Sequence, residues 1–224
     1  MKRDTVIAVL GGTGDLGGGL AWQLVQAGHP VIIGSRDLEK AERAASELSA
    51  RAGSEANVRG LANADAAAAA DLVIMTVPFG SHEPVLESVR EAVQGKILVD
   101  ATVPLVPPKV MRVQLPPGGS AAKQAQVFLG ENVRVVSAFQ NIAAAHLNAD
   151  DAHLDDCDVL VSGNDKDARE IVVQLAGDLG MKAWHAGPID NSVVAESLTS
   201  VLIFMNKRYK LPGAGIKITA GTTA

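Results

Sequence analysis

The chain has 224 residues, room for one large domain or a domain with a small appendage, and a chain of that size buries roughly 70% of its unfolded surface. A net charge of -5 with no long run of Lys or Arg leaves nothing that forms the basic footprint duplex nucleic acid requires. Only 3% of residues are aromatic, so Val, Ile, Leu and Ala must fill the core, the palette of buried parallel strands under helices. The single cysteine, Cys157, excludes an internal disulfide and fits a reducing compartment. The apolar run after Met1-Lys2-Arg3 stops at Leu10, so no secretion signal is read. The apolar stretch 193–205 is interrupted by Glu196, Ser197, Thr199 and Ser200, which a membrane span rarely tolerates. The expectation is a soluble, cytoplasmic protein with no membrane or nucleic-acid partner.

Short β-branched runs at 5–10, 31–33, 58–61, 72–77, 96–100, 133–138, 159–162 and 182–185 predict strands. Helical spacing at 16–27, 38–52, 64–70, 83–93, 120–129, 167–179 and 192–209 predicts helices between and after them, many opened by Asp or Ser and closed by Gly. This alternation predicts an α/β, Rossmann-type doubly wound and mainly parallel sheet with a short C-terminal helical lobe. The division expected is an NADP-binding domain over 1–190 and a C-terminal helix and tail over 191–224. The stretch 102–119, with five prolines, reads as a surface loop over the carboxyl edge of the sheet, and the small polar tail 219–224 as fraying.

The first strand runs into Gly11-Gly12-Thr13-Gly14-Asp15-Leu16-Gly17, which holds Gly-x-Gly-x-x-Gly at Gly12, Gly14 and Gly17 before an apolar-periodic helix. In such a turn Gly12 permits the tight bend, Gly14 lets backbone approach a pyrophosphate, and Gly17 allows helix to pack on strand. The helix N-terminus offers N–H groups and positive dipole to phosphates. Asp15 beside a pyrophosphate would repel it, so its carboxylate is expected to cap the helix instead. After the second strand stand Ser35 and Arg36 where NAD sites place a carboxylate. A hydroxyl and a guanidinium match a 2′-phosphate, and Lys40, one turn on, adds a second cation. The cofactor expected is NADP(H).

Chemistry is less legible. Short-chain dehydrogenases need Tyr-x-x-x-Lys, and the only tyrosine, Tyr209, is followed at that spacing by Gly213. Hydroxyacid and pyrroline-carboxylate reductases carry a long helical substrate domain for which this chain is too short. His29, His82, His146, His153 and His185 have no metal-ligand spacing and read as helix-end, loop or surface residues. The residues alone predict an NADP(H) oxidoreductase with no evident general acid or base.

Read with Thr76-Val77-Pro78-Phe79, Val136-Ser137-Ala138, Ala186-Gly187-Pro188, Glu196-Ser197-Leu198-Thr199 and Gly215-Ile216-Lys217, the chain resembles the NADPH-dependent reductases of coenzyme F420, an 8-hydroxy-5-deazaflavin. The resemblance implies hydride transfer between nicotinamide and deazaflavin in a compact homodimer. It implies pyrophosphate contacts from Thr13, Gly14, Asp15 and Leu16, and 2′-phosphate contacts from Ser35, Arg36 and Lys40. Val77, Ser81, Val103 and Ala144 would lie along the nicotinamide, and Phe79, Gln140, Ile142 and Ala214 would meet the deazaflavin. Two positions depart from the family: Asp15 stands where Asn is common and Gln140 where His is common. A dimer contact is expected through Val194, Leu198, Val201, Leu202 and Met205, which share one helix face. Two alternatives stay open, an NADPH-binding redox sensor without turnover and a reductase of another planar acceptor such as a flavin or quinone.

Overall fold

The computed structural model describes residues 4–54, 56–149 and 154–219. His153 and most of the tail expected to fray, 220–224, lie outside them. All eight expected strands form: β1 (Ile7–Leu10), β2 (Val31–Ser35), β3 (Val58–Ala62), β4 (Leu72–Met75), β5 (Ile97–Asp100), β6 (Arg134–Ser137), β7 (Val159–Gly163) and β8 (Ala183–Gly187). Among them run α1 (Asp15–Gln26), α2 (Leu38–Ala52), α3 (Asn63–Ala69), α4 (His82–Val89), α5 (Ala121–Leu129), α6 (Ala144–Asn148) and α7 (Lys166–Asp178), and α8 (Ser192–Tyr209) follows β8. Side chains cap three of the helices: Asp37, Ser120 and Asp165 accept the N–H groups of Lys40, Lys123 and Ala168 at the starts of α2, α5 and α7.

The strands form one sheet in the order β3-β2-β1-β4-β5-β6-β7-β8. The first six are parallel, β7 runs antiparallel to β6, and β8 is parallel to β7. The reversal follows from the link between β6 and β7. Among the described residues its one α-helix, α6, packs on α1 and does not cross the sheet, and antiparallel neighbours need no crossover. β1, β2, β4 and β5 are buried along their whole length, and their side chains divide with period two between two cores. Ile7, Val9, Ile33 and Ile74 pack in one layer, while Ala8, Leu10, Ile32 and Met75 pack in the other.

α8 packs on α5 and β7. Its outward face shows Val194 (57% exposed), Val201 (44%) and Phe204 (51%). Leu202 departs from the expected face: it is buried, because it lies 100° round the helix from Val201, at the edge of the inward stripe. The stretch 102–119 leaves the carboxyl end of β5 as the expected loop and exposes Val106, Met111, Val113 and Leu115.

Candidate functional site

β1 lies between β2 and β4, so the chain winds away from it in both directions and opens a crevice at the carboxyl ends of β1 and β4. The glycine turn fills one side of that crevice. The residue with left-handed backbone is Gly11, φ +79°, and not Gly12, which is instead closed in because a Cβ there would lie 2.9 Å from the Val9 carbonyl oxygen. A Cβ at Gly17 would lie 2.5 Å from both the Gly11 carbonyl oxygen and Thr76 Oγ1, so α1 rests directly on the turn and on the end of β4. Gly14 differs, since a Cβ there would meet only the Gly11 carbonyl oxygen, at 3.4 Å. Its open side faces the crevice.

Among the described residues no side chain caps α1. Asp15 is the exposed first residue of the helix and makes no capping bond, contrary to expectation; its backbone carbonyl accepts Asn148 Nδ2 at 3.1 Å. The first-turn N–H groups are thereby left for an anion. Thr13, Gly14, Asp15, Leu16, Ser35, Arg36, Lys40, Val77 and Ser81 line one cleft of about 400 Å³, and Gly12 lies at an adjoining hollow. Ser35 Oγ accepts the Asp37 N–H at 3.2 Å, and Lys40 Nζ stands 3.8 Å from the Asp37 carboxylate that caps α2. Arg36 is exposed at the cleft. An uncapped helix start and a hydroxyl–guanidinium–ammonium group on one cleft are a donor set for a pyrophosphate and a further phosphate.

The remaining expected residues lie outside that cleft. Phe79 faces a second one of about 740 Å³, shared with His82, Glu83, Pro117 and Phe128, and its ring stacks 6.1 Å from that of His82. Val103 is half-buried just past β5, and Ala144 opens α6. Ile142 and Gln140 are buried. Gln140 Nε2 donates to the Asp100 carbonyl and to Ser137 Oγ, both at 2.8 Å, while its Oε1 is buried without a partner among the described residues. The Ala214 N–H donates to Asn206 Oδ1 at 2.7 Å. The segment beyond Ala214 is tied to Asp158, whose N–H donates to the Ile216 carbonyl and whose Oδ2 accepts the Ile218 N–H, each at 2.8 Å.

Sequence reasoning missed a buried acid–base cluster behind the second cleft, which His82 helps to line. His82 starts α4, as a helix-end histidine should, yet it is buried, and its Nε2 lies 2.7 Å from the wholly buried Asp100 carboxylate. Asp100 Oδ1 accepts the Thr102 N–H at 2.9 Å. Burial alone would push the His82 imidazole down, but the charge and hydrogen bond of Asp100, with Glu196 and Glu83 adding to them, carry it above its ordinary value. Glu196 of α8 is 2% exposed, and its two oxygens accept the Ala121 and Ala122 N–H groups at 2.7 and 3.1 Å. Burial pushes its carboxyl up to about 7, against the lowering effect of those two hydrogen bonds. The available signal was an aspartate ending an otherwise apolar strand, Ile97-Leu98-Val99-Asp100.

Residues 6–104 match the family described as NADP oxidoreductase coenzyme F420-dependent. The F420-dependent NADP reductase of Methanocaldococcus jannaschii is 43% identical over 220 residues, which cover 95% of this chain and 97% of that protein. The F420-dependent NADP reductase of Methanothermobacter thermautotrophicus is 43% identical over 219 residues, covering 95% and 94%. The crystal structure of a putative F420-dependent NADP-reductase from Arthrobacter sp. FB24 superimposes with a TM-score of 0.80 at 33% identity, covering 96% of this chain and 99% of that one. With identity of this level over nearly the whole of both chains, the protein belongs to the F420-dependent NADP reductase family.

Proposed function

We propose that the chain is an NADPH-dependent F420 reductase that passes a hydride reversibly between NADP(H) and the deazaflavin through the crevice at the ends of β1 and β4. The carrying observation is that one cleft joins the uncapped start of α1 to Ser35, Arg36 and Lys40. In this reading Thr13, Gly14, Asp15 and Leu16 present backbone to the pyrophosphate, while Ser35, Arg36 and Lys40 hold the 2′-phosphate. Val77, Ser81, Val103 and Ala144 flank the nicotinamide. Phe79, Gln140, Ile142 and Ala214 hold the acceptor, and the orphaned Oε1 of Gln140 suits an acceptor ring N–H.

When bound, the two rings supply the chemistry, a hydride moving directly between ring carbons. The protein's part is to hold both rings at near-attack distance and to keep water out with Val, Ile, Ala and Pro side chains. Residues 1–190 act as the NADP-binding domain, and 191–224 complete the acceptor site. No helix among the described residues is long and apolar enough to cross a membrane, and the single buried Cys157 suits a cytoplasmic setting.

Steady consumption of NADPH on addition of the deazaflavin tests the reading. Binding without turnover leaves the sensor alternative, and equal rates with flavin or quinone remove the deazaflavin assignment. In the same assay Arg36→Ala should weaken NADPH about ten- to a hundredfold, the ~1.5–3 kcal/mol of a charge-assisted hydrogen bond, and leave NADH nearly untouched. Equal loss for both cofactors would remove Arg36 from the 2′-phosphate site.

The same reading includes a homodimer, supported by the outward face of α8, where Val194, Leu198, Val201, Phe204 and Met205 form an apolar stripe. Light scattering at micromolar concentration should give the mass of two chains, and Val201→Asp should halve it. A single-chain mass for the parent protein would end this part of the proposal.

A further inference from the structure

The buried cluster of His82, Asp100 and Glu196 touches neither cleft through Glu196, yet it holds both sides of the acceptor wall. Glu196 sits one turn before Thr199 on α8, and Thr199 Oγ1 donates to the Gln140 carbonyl at 2.8 Å. The Gln140 side chain is fixed from the other side by the Asp100 carbonyl. The turn between them is built on Phe139, whose φ of +72° is rare for a residue with a side chain, so it depends on outside support. Part of that support comes from α8 through the Thr199 bond, and α8 is fastened where the Glu196 carboxylate occupies the N-terminus of α5.

The groups facing Glu196 are all fixed. From α5 come two backbone N–H groups and the positive end of the helix, and from β5 the Asp100 carboxylate, which opposes its charge. From α4 comes His82, whose own neighbours are Asp100 and Glu83. Ser192 of α8 stands beside the carboxylate and lowers its value, and its Oγ lies 2.7 Å from Ser120 Oγ. Lys123 of α5 is engaged elsewhere, 2.6 Å from the Asp190 carboxylate.

We propose that Glu196 is a positioning residue that, by gripping the start of α5 with two oxygens when ionised and with one when protonated, sets the Gln140–Ile142 wall and makes acceptor binding answer to its ionisation. The inference rests on the assignment of Gln140 to the acceptor. An ionised carboxylate accepts both N–H groups; a protonated one turns one oxygen into a donor and loses a charge-assisted bond. α8 then loosens on α5, and the Thr199 hydroxyl carries the change to Gln140.

The test compares the full-length protein with Glu196→Gln at pH 6 and pH 8, so that the ligands' own ionisations cancel in each ratio. At pH 8 the variant's KM for the deazaflavin should exceed the parent's by about fivefold, a modest coupling between sites, and the ratio should fall towards one at pH 6. The NADPH dissociation constants should keep a constant ratio. A ligand-free readout runs alongside. Burying the Glu196 charge costs the fold more than its two N–H bonds return, so although the ionised carboxylate holds α5 in the tighter geometry, the stability the group contributes is full below the ordinary carboxylate range and lost as pH rises through about 7. The melting temperature of Glu196→Gln should therefore gain on that of the parent between pH 5 and pH 8. A KM ratio flat with pH, a flat melting difference, or an equal change in NADPH binding overturns the proposal. If Glu196→Gln does not fold, Thr199→Val replaces it: the melting temperature should keep the parent's pH dependence while the KM ratio still follows pH. Absence of deazaflavin turnover in the parent removes the acceptor assignment and this inference with it, and is told apart by a melting difference that still titrates.

Discussion

Gly17→Ala is expected to lower the melting temperature by about 6–12 °C and to weaken NADPH at least a hundredfold, although it adds a single methyl group. That Cβ would lie 2.5 Å from the Gly11 carbonyl oxygen and from Thr76 Oγ1, and 2.9 Å from Gly12 Cα. None of these atoms can yield cheaply. Gly11 carries the left-handed bend of the turn, and Thr76 Oγ1 is tied to the Leu10 carbonyl at 2.9 Å. α1 must therefore lift from the sheet, an overpacking cost of about 3 kcal/mol, worth roughly 2–4 °C per kcal/mol in a chain of this length. Lifting α1 also moves its first-turn N–H groups from the phosphate position, so affinity falls along with stability. Gly14→Ala is the control. With only one contact, at 3.4 Å, its methyl should leave the melting temperature within about 2 °C and weaken NADPH alone, about tenfold or more. Thermal melts and NADPH titrations on the two variants check the pair. Equal melting temperatures for both would mean that Gly17 does not hold the helix against the turn.

The cofactor side of the molecule was legible because it is nearly contiguous. A Val-Ile-rich strand, a glycine turn and a helix occupy residues 7–26, and Ser35-Arg36 ends the next strand, so spacing along the chain stands in for spacing in space. Even there, the left-handed residue of the turn and the role of Asp15 depended on backbone geometry that the residue types do not encode. Most of the strands were legible as short β-branched or apolar runs, while β3 (Val-Arg-Gly-Leu-Ala) and β8 (Ala-Trp-His-Ala-Gly) were legible more from their spacing between helices. α6 was not, since Ala144-Ala145-His146-Leu147-Asn148 is too short to show a helical period. The reversal of β7 was not legible either, because it depends on where the preceding link packs. The acceptor side was hidden for a different reason: its contacts join residues far apart in sequence. Gln140 meets Asp100 and Thr199, and Glu196 meets Ala121, pairs that no local pattern couples. The resemblance could name Gln140, but only the fold places its side chain inward, with one amide oxygen left over.

Asp100→Ala is expected to destabilise the protein by about 3–5 kcal/mol, the cost of removing one partner from a buried ion pair. The loss exceeds that of the hydrogen bond at 2.7 Å. His82 would remain buried without its counter-charge, and the Thr102 N–H, now bonded to Asp100 Oδ1, would lose its acceptor. The effect should depend on pH, with a definite sign. In the parent protein the His82 value is raised, so the stability it contributes is full below the ordinary imidazole value of 6.5 and is lost as pH rises through the folded-state value. In the variant burial dominates, the imidazole value falls below 6.5, and protonating His82 at acid pH works against the fold. Glu196 moves the gap in the same direction, because losing the opposing charge of Asp100 lowers its raised carboxyl and relieves the variant at alkaline pH. The melting-temperature gap between parent and variant should therefore be wider at pH 6 than at pH 9. Melts of both proteins at the two pH values decide it. A gap that is constant, or wider at pH 9, would mean that His82 is neutral beside Asp100 and that the pair acts only as a hydrogen bond.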